Sequence, residues 1–562
     1  MKKLELVFIP TPLIGHLTAA VHLANLLTTR HLPLSITILI IKLPFPTKSA
    51  PLIQSLCSSS ASDRIRFITL PEQPIPNGTK RTLLLDPLVQ SQKQNVATAV
   101  ANLTSAPDGG PDSPTLAAFV VDMFCIPMVD VANQFGVPTF VFYTSSASFL
   151  ALLFHLQELY DNEFNHDMDR LLNSATEFAV PCFRNPIPRK VISTMFIDRE
   201  ATEWTHALTR RYREANGFLI NTFSELEPDA IHWFAEQRLP PVYAVGPIVN
   251  LKKNPQIGEN GEEIMKWLDQ QPPSSVVFLC FGTMGSFNES QTKEIAEALE
   301  RTGVRFIWAI RQTPPESVLP EGFVDRTGGI GKVIGWAPQV EILKHPATGG
   351  FVSHCGWNSV LESLWNGVAV ATWPMYAEQQ VNAFEMVMEL GVAVEVSLDY
   401  SMMVAEEEEK EAVLTAEKIE GAIRRLMERS DELKRALMVK GEESKKAMME
   451  SGSSFNALIR FIDAIMRNLF DSNQIIEVAL NQLDHCSELE KLVLDNEIVI
   501  DLSVRLTDLS VSTMFSRSPD GSDVSLQHGH SSDVPLQHGL GSAVPLQHGH
   551  VMALLFPCTM VT

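Results

Sequence analysis

Residues 351–366 read FVSHCGWNSVLESLWN, and the order of residue types in this stretch decides the fold. A short apolar run ends at Ser353, a turn carries His354 and Gly356, and a helical stretch follows to Trp365. A further apolar run, Val368–Thr372, comes next, so the segment reads as strand, turn, helix and strand, the two strands parallel. Toward the N-terminus the same alternation continues. Val276–Phe281, Arg305–Ile310, Lys332–Ile334 and Gly350–Ser353 read as strands, and a separate series occupies the first 245 residues: Leu4–Ile9, Ser35–Ile41, Ile65–Thr69, Leu116–Val121, Thr139–Tyr143 and Gly217–Asn221. The expectation is an α/β chain with two doubly wound parallel sheets, in domains at 1–245 and 264–452 joined by a linker at 246–263. Ligands of such folds bind beyond the carboxyl ends of the strands, so function is expected in the cleft between the sheets.

The 562 residues exceed what one core can use. With 45% hydrophobic and 20% charged residues, wholesale disorder, collagen and coiled coil are excluded. Lys and Arg number 44 against 66 Asp and Glu, and the net charge of −22 repels phosphate backbones and anionic lipid, which argues against nucleic-acid or membrane partners. Seven scattered cysteines without a CxxC pair fit a reducing compartment and no structural zinc. The start, MKKLELVFIP, reads as a first strand rather than a secretory signal, and no apolar window reaches membrane-spanning length. A cytoplasmic protein is expected.

Leu4–Ile9 runs into Pro-Thr-Pro-Leu-Ile-Gly15-His16 ahead of a helical pattern, which sets His16 at the top of a sheet. A histidine there suits proton transfer, its unperturbed pKa lying near 6.5; capping the helix start is the alternative. Asp122 closes the buried run Ala117–Val121, from where a carboxylate can reach the ring nitrogen that His16 does not use in chemistry and stabilise the imidazolium. Its alternative is the N-cap of the segment after Met123. In the 351–366 stretch, Asn358 and Ser359 are N-cap types, and the free N–H groups at the helix start favour an anion by about 0.3–1 kcal/mol per charge. That suggests a phosphate seat, with His354 donating to a phosphate oxygen and Glu362, on the helix face of Asn358, accepting from ribose hydroxyls. An ordinary capped helix with a packed tryptophan is the alternative. Neither GxxxxGK[ST] nor GxGxxG occurs, so P-loop and dinucleotide readings have no support.

From Trp336 to Gln379 the chain reads WAPQVEILKHPATGGFVSHCGWNSVLESLWNGVAVATWPMYAEQ. This closely resembles the signature box of plant secondary-product UDP-glycosyltransferases. Supporting resemblances extend over residues 1–470: the Pro-x-x-Gly-His16 turn, Asp122 in VVDMFC, GVPTFVFYTSSA from Gly136, NTFSELEP from Asn221 and CFGTMGSF from Cys280. The resemblance implies a GT-B architecture of two Rossmann-like domains, the acceptor bound by the first and the UDP-sugar by the second, with no cofactor and no metal. Residue by residue it implies Trp336 stacked on uracil with Gln339 beside the base or ribose, and Glu362 on the ribose. His354, Asn358, Ser359 and Thr283 would contact the diphosphate; Trp357, Glu378 and Gln379 would contact sugar hydroxyls. Gln379 is the family's usual glucose-associated choice. Ala369 departs from the pattern, where proline is typical.

These expectations describe a monomer performing inverting glucosyl transfer from UDP-glucose to a small lipophilic hydroxyl compound, of the flavonoid, phenolic, terpenoid or hormone classes. His16 would be the general base and Asp122 its partner. Phe124, Phe142, Phe149, Met195 and Phe196 are candidates for an apolar acceptor pocket. Asp167-Met-Asp169 matches the manganese-holding pair of another transferase fold but falls in a polar stretch rather than at a strand end. A catalytically silent UDP-sugar sensor would have lost His16 or Asp122, and both are present; an NAD-dependent dehydrogenase would need the fingerprint glycines. The acidic run at 405–411 reads as a solvated loop before a helix starting near Thr415. A helix at 453–470 is expected to cross back onto the first domain, burying Phe455, Leu458, Phe461 and Ile465. Residues 471–562, with the near-copies SDVSLQHGH, SDVPLQHGL and SAVPLQHGH, read as an atypical, largely disordered tail.

Overall fold

The computed structural model describes residues 4–29, 34–45, 50–75, 84–104, 114–193, 196, 199–249, 258–311, 315–402 and 413–469. Met195, residues 250–257 of the expected linker, the acidic run at 405–411 and the tail from 471 lie outside the described residues.

The first half of the chain carries β1 (Leu4–Ile9), β2 (Leu34–Ile40), β3 (Ile65–Thr69), β4 (Thr115–Asp122), β5 (Thr139–Tyr143), β6 (Glu177–Phe178), β7 (Ile187–Pro188), β8 (Gly217–Ile220) and β9 (Val242–Ala244). Seven of these form a parallel sheet in the order β3-β2-β1-β4-β5-β8-β9, while β6 and β7 pair as a small antiparallel hairpin. The second sheet, also parallel, contains β10 (Val276–Cys280), β11 (Arg305–Ala309), β12 (Gly331–Ile334), β13 (Thr348–Ser353), β14 (Val370–Thr372) and β15 (Ala393–Glu395), ordered β12-β11-β10-β13-β14-β15. Every residue of β5 and β10 is buried, because helices cover both faces of a parallel sheet, and this is why these strands are unbroken apolar runs. The single charge in β1, Glu5, accepts from the Thr37 hydroxyl at 2.5 Å and pairs with Arg66 at 3.1 Å. In each sheet the strand order reverses between neighbours, β1 with β4 and β10 with β13, so the loops leaving these strands diverge and open a crevice at their carboxyl ends.

Besides the β6–β7 hairpin, which the sequence reading lacks, two strands of the parallel sheets differ from the sequence expectation. Val242–Ala244 reads as a domain boundary but is the edge strand β9, and β15 has no counterpart in the sequence reading. Each is three residues long, too short to show a two-residue period. The helix Ser453–Leu469 packs on the first sheet, with Phe461 edge-on to Phe140 at 4.9 Å and beside Tyr243 at 5.9 Å. Leu458, Phe461 and Ile465 are buried as expected; Phe455 is only half-buried, and Ala457 takes the inward position. Ala369, standing where proline is typical, is buried, and its carbonyl accepts from Phe351 N–H at 2.9 Å, so the chain enters β14 in register without the ring. The two halves are joined by polar contacts. The carboxylate of Glu389 accepts the backbone N–H groups of Arg184 at 3.1 Å and Asn185 at 2.9 Å, and the Ser148 hydroxyl donates to Glu385 at 3.0 Å. No helix among the described residues is long and apolar enough to cross a membrane.

Candidate active site

Beyond β1 the prolines at 10 and 12 bring the chain round into the helix Ile14–Thr29, with His16 in its first turn. His16 Nδ1 lies 2.8 Å from Asp122 Oδ2. Asp122, 3% exposed at the end of β4, divides its oxygens. Oδ1 accepts from the Thr11 hydroxyl at 2.5 Å and from Phe124 N–H at 3.2 Å, while Oδ2 faces the imidazole. Both sequence readings of Asp122 therefore hold at once, since the same carboxylate caps the short helix Met123–Met128. Burial pulls the His16 pKa down, but the charge and hydrogen bond of Asp122, with Glu378 adding from the second domain, outweigh it and leave the pKa raised above 6.5. Thr144, just past β5, brings its Oγ1 to 3.0 Å from the same Nδ1 and donates its own proton to Met123 Sδ at 3.7 Å. An Nδ1–H shared between Asp122 and Thr144 leaves the lone pair on Nε2. Phe124 lies 5.6 Å from the His16 ring, and Trp204 stacks on Phe124 at 5.7 Å and 16°. Of the other pocket candidates described, Phe142, Phe149 and Phe196 are core residues at 2%, 7% and 7% exposure.

A second cluster gathers at the carboxyl ends of β10 and β13. His354 is wedged between two glycines: a Cβ at Gly282 or at Gly356 would stand 2.5 Å from its Nε2, and Gly282 has φ +74° besides. Burial and the nearby Arg311 charge push the His354 pKa down to about 4, so the ring is neutral at physiological pH, and its buried Nδ1 has no partner among the described residues. The helix Trp357–Asn366 is capped by Gly356, not by Asn358 or Ser359, which sit inside its first turn. This corrects the expected cap; the free N–H groups of that turn remain. Asn358 Nδ2 reaches the Gly15 carbonyl at 3.4 Å across the cleft, and its Oδ1 is buried without a partner among the described residues. Gln339 Nε2 donates to Ser359 Oγ and to Glu362 Oε2, both at 2.8 Å. Burial pushes the Glu362 carboxyl up to about 7, although the Gln339 bond opposes it. Trp336 is 50% exposed, and Thr283 is exposed on the loop after β10.

Trp357 departs from expectation. Its indole is 2% exposed and Nε1 donates to the Asn221 carbonyl at 2.7 Å, so the ring bolts the two domains together and only its backbone faces the helix start. Gln379 is buried as well, its Oε1 accepting from Met375 N–H at 3.0 Å and Tyr376 N–H at 3.1 Å, while its side chain also hydrogen-bonds the Tyr376 hydroxyl. Glu378 beside it is half-buried, its pKa raised by burial against the opposing pull of His16. Asp167 is the N-cap of the helix Met168–Asn173, accepting from Arg170 N–H at 2.9 Å, with Asp169 in the first turn. Among the described residues no group of three or more His, Cys, Asp or Glu is placed to hold a metal ion. Thr11, Thr144, Trp204 and Arg311 have no role in the sequence reading. Only Trp204 left a signal there, as a large aromatic in an otherwise polar helix, Arg199–Arg211.

A family model described as UDP-glucoronosyl and UDP-glucosyl transferase matches residues 154–426. Over 488 residues the chain is 46% identical to UDP-glucose flavonoid 3-O-glucosyltransferase 6 of Fragaria ananassa, covering 83% of this chain and 99% of that one. This chain belongs to the plant secondary-product UDP-glycosyltransferase family. The crystal structure of a UGT transferase from Siraitia grosvenorii in complex with UDP is 50% identical with a TM-score of 0.72, over 83% of this chain and 100% of that one. Medicago truncatula UGT71G1 complexed with UDP-glucose is 36% identical, also with a TM-score of 0.72, over 82% and 98%. The two parallel sheets of this UDP-glycosyltransferase are thus the Rossmann-like halves of a GT-B enzyme. The His16 cluster stands on one half and the His354 cluster on the other, linked directly by Asn358 and Gly15.

Proposed function

We propose that this UDP-glycosyltransferase transfers glucose from UDP-glucose, with inversion, to a hydroxyl of a small lipophilic plant metabolite. The observation that carries the reading is the 2.8 Å contact between His16 and Asp122, set opposite the first turn of the helix Trp357–Asn366. His16 Nε2 takes the acceptor proton as the acceptor oxygen bonds to the anomeric carbon from the face opposite the leaving group. The bond from that carbon to the β-phosphate oxygen breaks, and UDP departs with the electron pair. The resulting imidazolium is held by Asp122 through Nδ1–H. A positioned base contributes about 10²–10⁴-fold. Charge developing on UDP meets the N–H groups of the helix start, the neutral His354 and the Thr283 hydroxyl, donors placed where charge appears.

Trp336 offers an open indole face for uracil, and Glu362 with Gln339 offers the ribose contacts. The Glu378 carboxylate and the Gln379 amide suit the glucose hydroxyls. No metal is required, because a good leaving group stabilised in this way needs no Lewis acid. The Phe124–Trp204 stack beside His16 favours a flat aromatic acceptor, in keeping with the flavonoid named for the Fragaria ananassa relative. The test is to incubate the purified chain with UDP-glucose or UDP-galactose, in excess EDTA, against a mixed panel of flavonoids, simple phenols, terpenoids and hormones, reading products by mass. A hexose adduct formed faster from UDP-glucose on a hydroxylated aromatic is expected. Activity that vanishes with EDTA and returns with manganese would refute the metal-free mechanism.

A further inference from the structure

We propose that Arg311 is the counter-charge of the bound nucleoside diphosphate and a positioning residue for the indole beneath the base; this rests on the UDP-binding reading and deepens it. Arg311 lies two residues past β11 and is half-buried. Its Nε donates to the Gly282 carbonyl at 2.8 Å, on the loop that carries Thr283. Its guanidinium carbon stands 4.7 Å over the Trp336 ring. One planar group therefore covers one face of the indole, leaving the other for a base, and ties that indole to the loop after β10.

The charge itself is unanswered. A guanidinium has five donors, and among the described residues no carboxylate pairs with this one. A cation held partly out of water without a counter-ion is costly, and an arriving anion offsets that cost. The field of Arg311 reaches the diphosphate seat, since it helps to keep His354 neutral. The remaining groups proposed for that seat, Thr283, His354, Asn358 and Ser359, are all uncharged donors, and the helix start supplies only partial charge. Arg311 is the full positive charge that a diphosphate would find there.

The experiment measures calorimetric affinities of UDP and of uridine for the full chain, in wild type, Arg311→Gln and Arg311→Lys, with circular dichroism confirming the fold. Arg311→Gln is expected to lose about 30-fold in UDP affinity, the scale of a hydrogen bond to a charged group, and threefold or less in uridine affinity. Arg311→Lys keeps the charge without the planar fork, so its ratio of UDP to uridine affinity should stay within threefold of wild type while uridine itself weakens. Loss of UDP and uridine affinity by the same factor in Arg311→Gln, or UDP binding within threefold of wild type, would overturn the counter-charge. Unchanged uridine binding in Arg311→Lys would overturn the positioning role. If Arg311→Gln does not fold, a tenfold fall of the UDP to uridine ratio in Arg311→Lys overturns the proposal and a preserved ratio supports it. A wild-type chain that binds neither ligand would remove the donor reading itself, an outcome distinct from all of these.

Discussion

Around His16 the polar atoms have found partners within the protein: Asp122 uses both oxygens, and Thr11 and Thr144 are bonded to the pair. Around His354 they have not, since its Nδ1 and the Asn358 Oδ1 are buried without a partner among the described residues and Trp336 is half exposed. The same residue type is also pushed in opposite directions, His16 up by a carboxylate and His354 down by burial and a guanidinium. The contrast follows the chemistry proposed for each wall. A general base must be assembled before substrate arrives and must be able to hold a proton. A diphosphate seat needs neutral donors and a positive field, while the orphaned Asn358 Oδ1, an acceptor, calls for a hydroxyl of the sugar rather than for the phosphates. UDP at a hundredfold its dissociation constant should accordingly stabilise the chain by about 2.7 kcal/mol.

The largest expected effect comes from removing the finished wall. His16→Ala should lower turnover by about 10³-fold, within the range of a lost general base, while calorimetric UDP affinity stays within about threefold of wild type. Activity within threefold of wild type, or a tenfold loss of UDP affinity, would break the division of labour between the walls.

Next in size is Asp122→Asn, with a loss of about 10²-fold or more, because the amide keeps an acceptor for Thr11 and Phe124 N–H but cannot answer an imidazolium. The same variant moves the pH profile. His16 must be neutral to act, so the rate falls on the acid side through its pKa. Asp122 raises that pKa, and its neutralisation should shift the acid limb to lower pH. The stability linkage has the matching sign. Asp122 stabilises the protonated ring fully below the unfolded pKa near 6.5, and this is lost as pH rises through the folded value, so the variant should lose more thermal stability at pH 5.5 than at pH 9. Asp122→Ala should melt lower still, since it also removes a cap worth about 1 kcal/mol. A melting temperature reduced only by Asp122→Ala, with Asp122→Asn unchanged at both pH values, would assign Asp122 a structural role alone.

A third, smaller effect separates titration on the two walls. Glu362 is held near pKa 7 by burial, so uridine, which carries no titrating phosphate, should bind about tenfold more weakly at pH 6 than at pH 8 if the ionised carboxylate accepts the ribose hydroxyls. Glu362→Gln should flatten that dependence without moving the acid limb of turnover assigned to His16. A flat profile in wild type would place the ribose elsewhere.

How much of this the sequence could disclose depends on the range over which each feature is specified. Parallel strands buried on both faces announce themselves locally as apolar runs; Asp122 stands out because it ends such a run, and His16 because it opens the helix that follows one. The edge strands β9 and β15 are too short to show a period. Whether the Trp357 indole turns outward or inward is decided by its partner Asn221, 136 residues away, and no local pattern carries that. Thr144 and Arg311 are common residue types whose meaning arises only when β4 brings β5 within one strand of β1 and when β11 pairs with β10. Asp122 fills both of the roles its residue type suggests, because a carboxylate has two oxygens: Oδ2 faces His16 and Oδ1 caps Phe124 N–H.

The smallest effect concerns a site away from both histidines and keeps their pH behaviour interpretable. Glu227 and Glu385, each 3% exposed, meet across the domain interface, with Ser148 donating its N–H to the first at 2.7 Å and its hydroxyl to the second at 3.0 Å. Burial raises both carboxyls above their usual range, and Glu227 raises Glu385 further because two charges cannot be held there. The folded chain therefore keeps a proton that the unfolded chain releases near pH 4.5, so stability falls as pH rises above that value toward the folded pKa. Glu385→Gln supplies the hydrogen permanently. Its melting temperature should exceed that of wild type by about 2–6 °C at pH 8 and match it at pH 5, at about 2–4 °C per kcal/mol, with kcat and the acid limb of turnover unchanged at both. A variant that melts below wild type at pH 8 would mean that the pair is held ionised by a partner, and a shifted acid limb would mean that the limb reports domain contact rather than proton removal by His16.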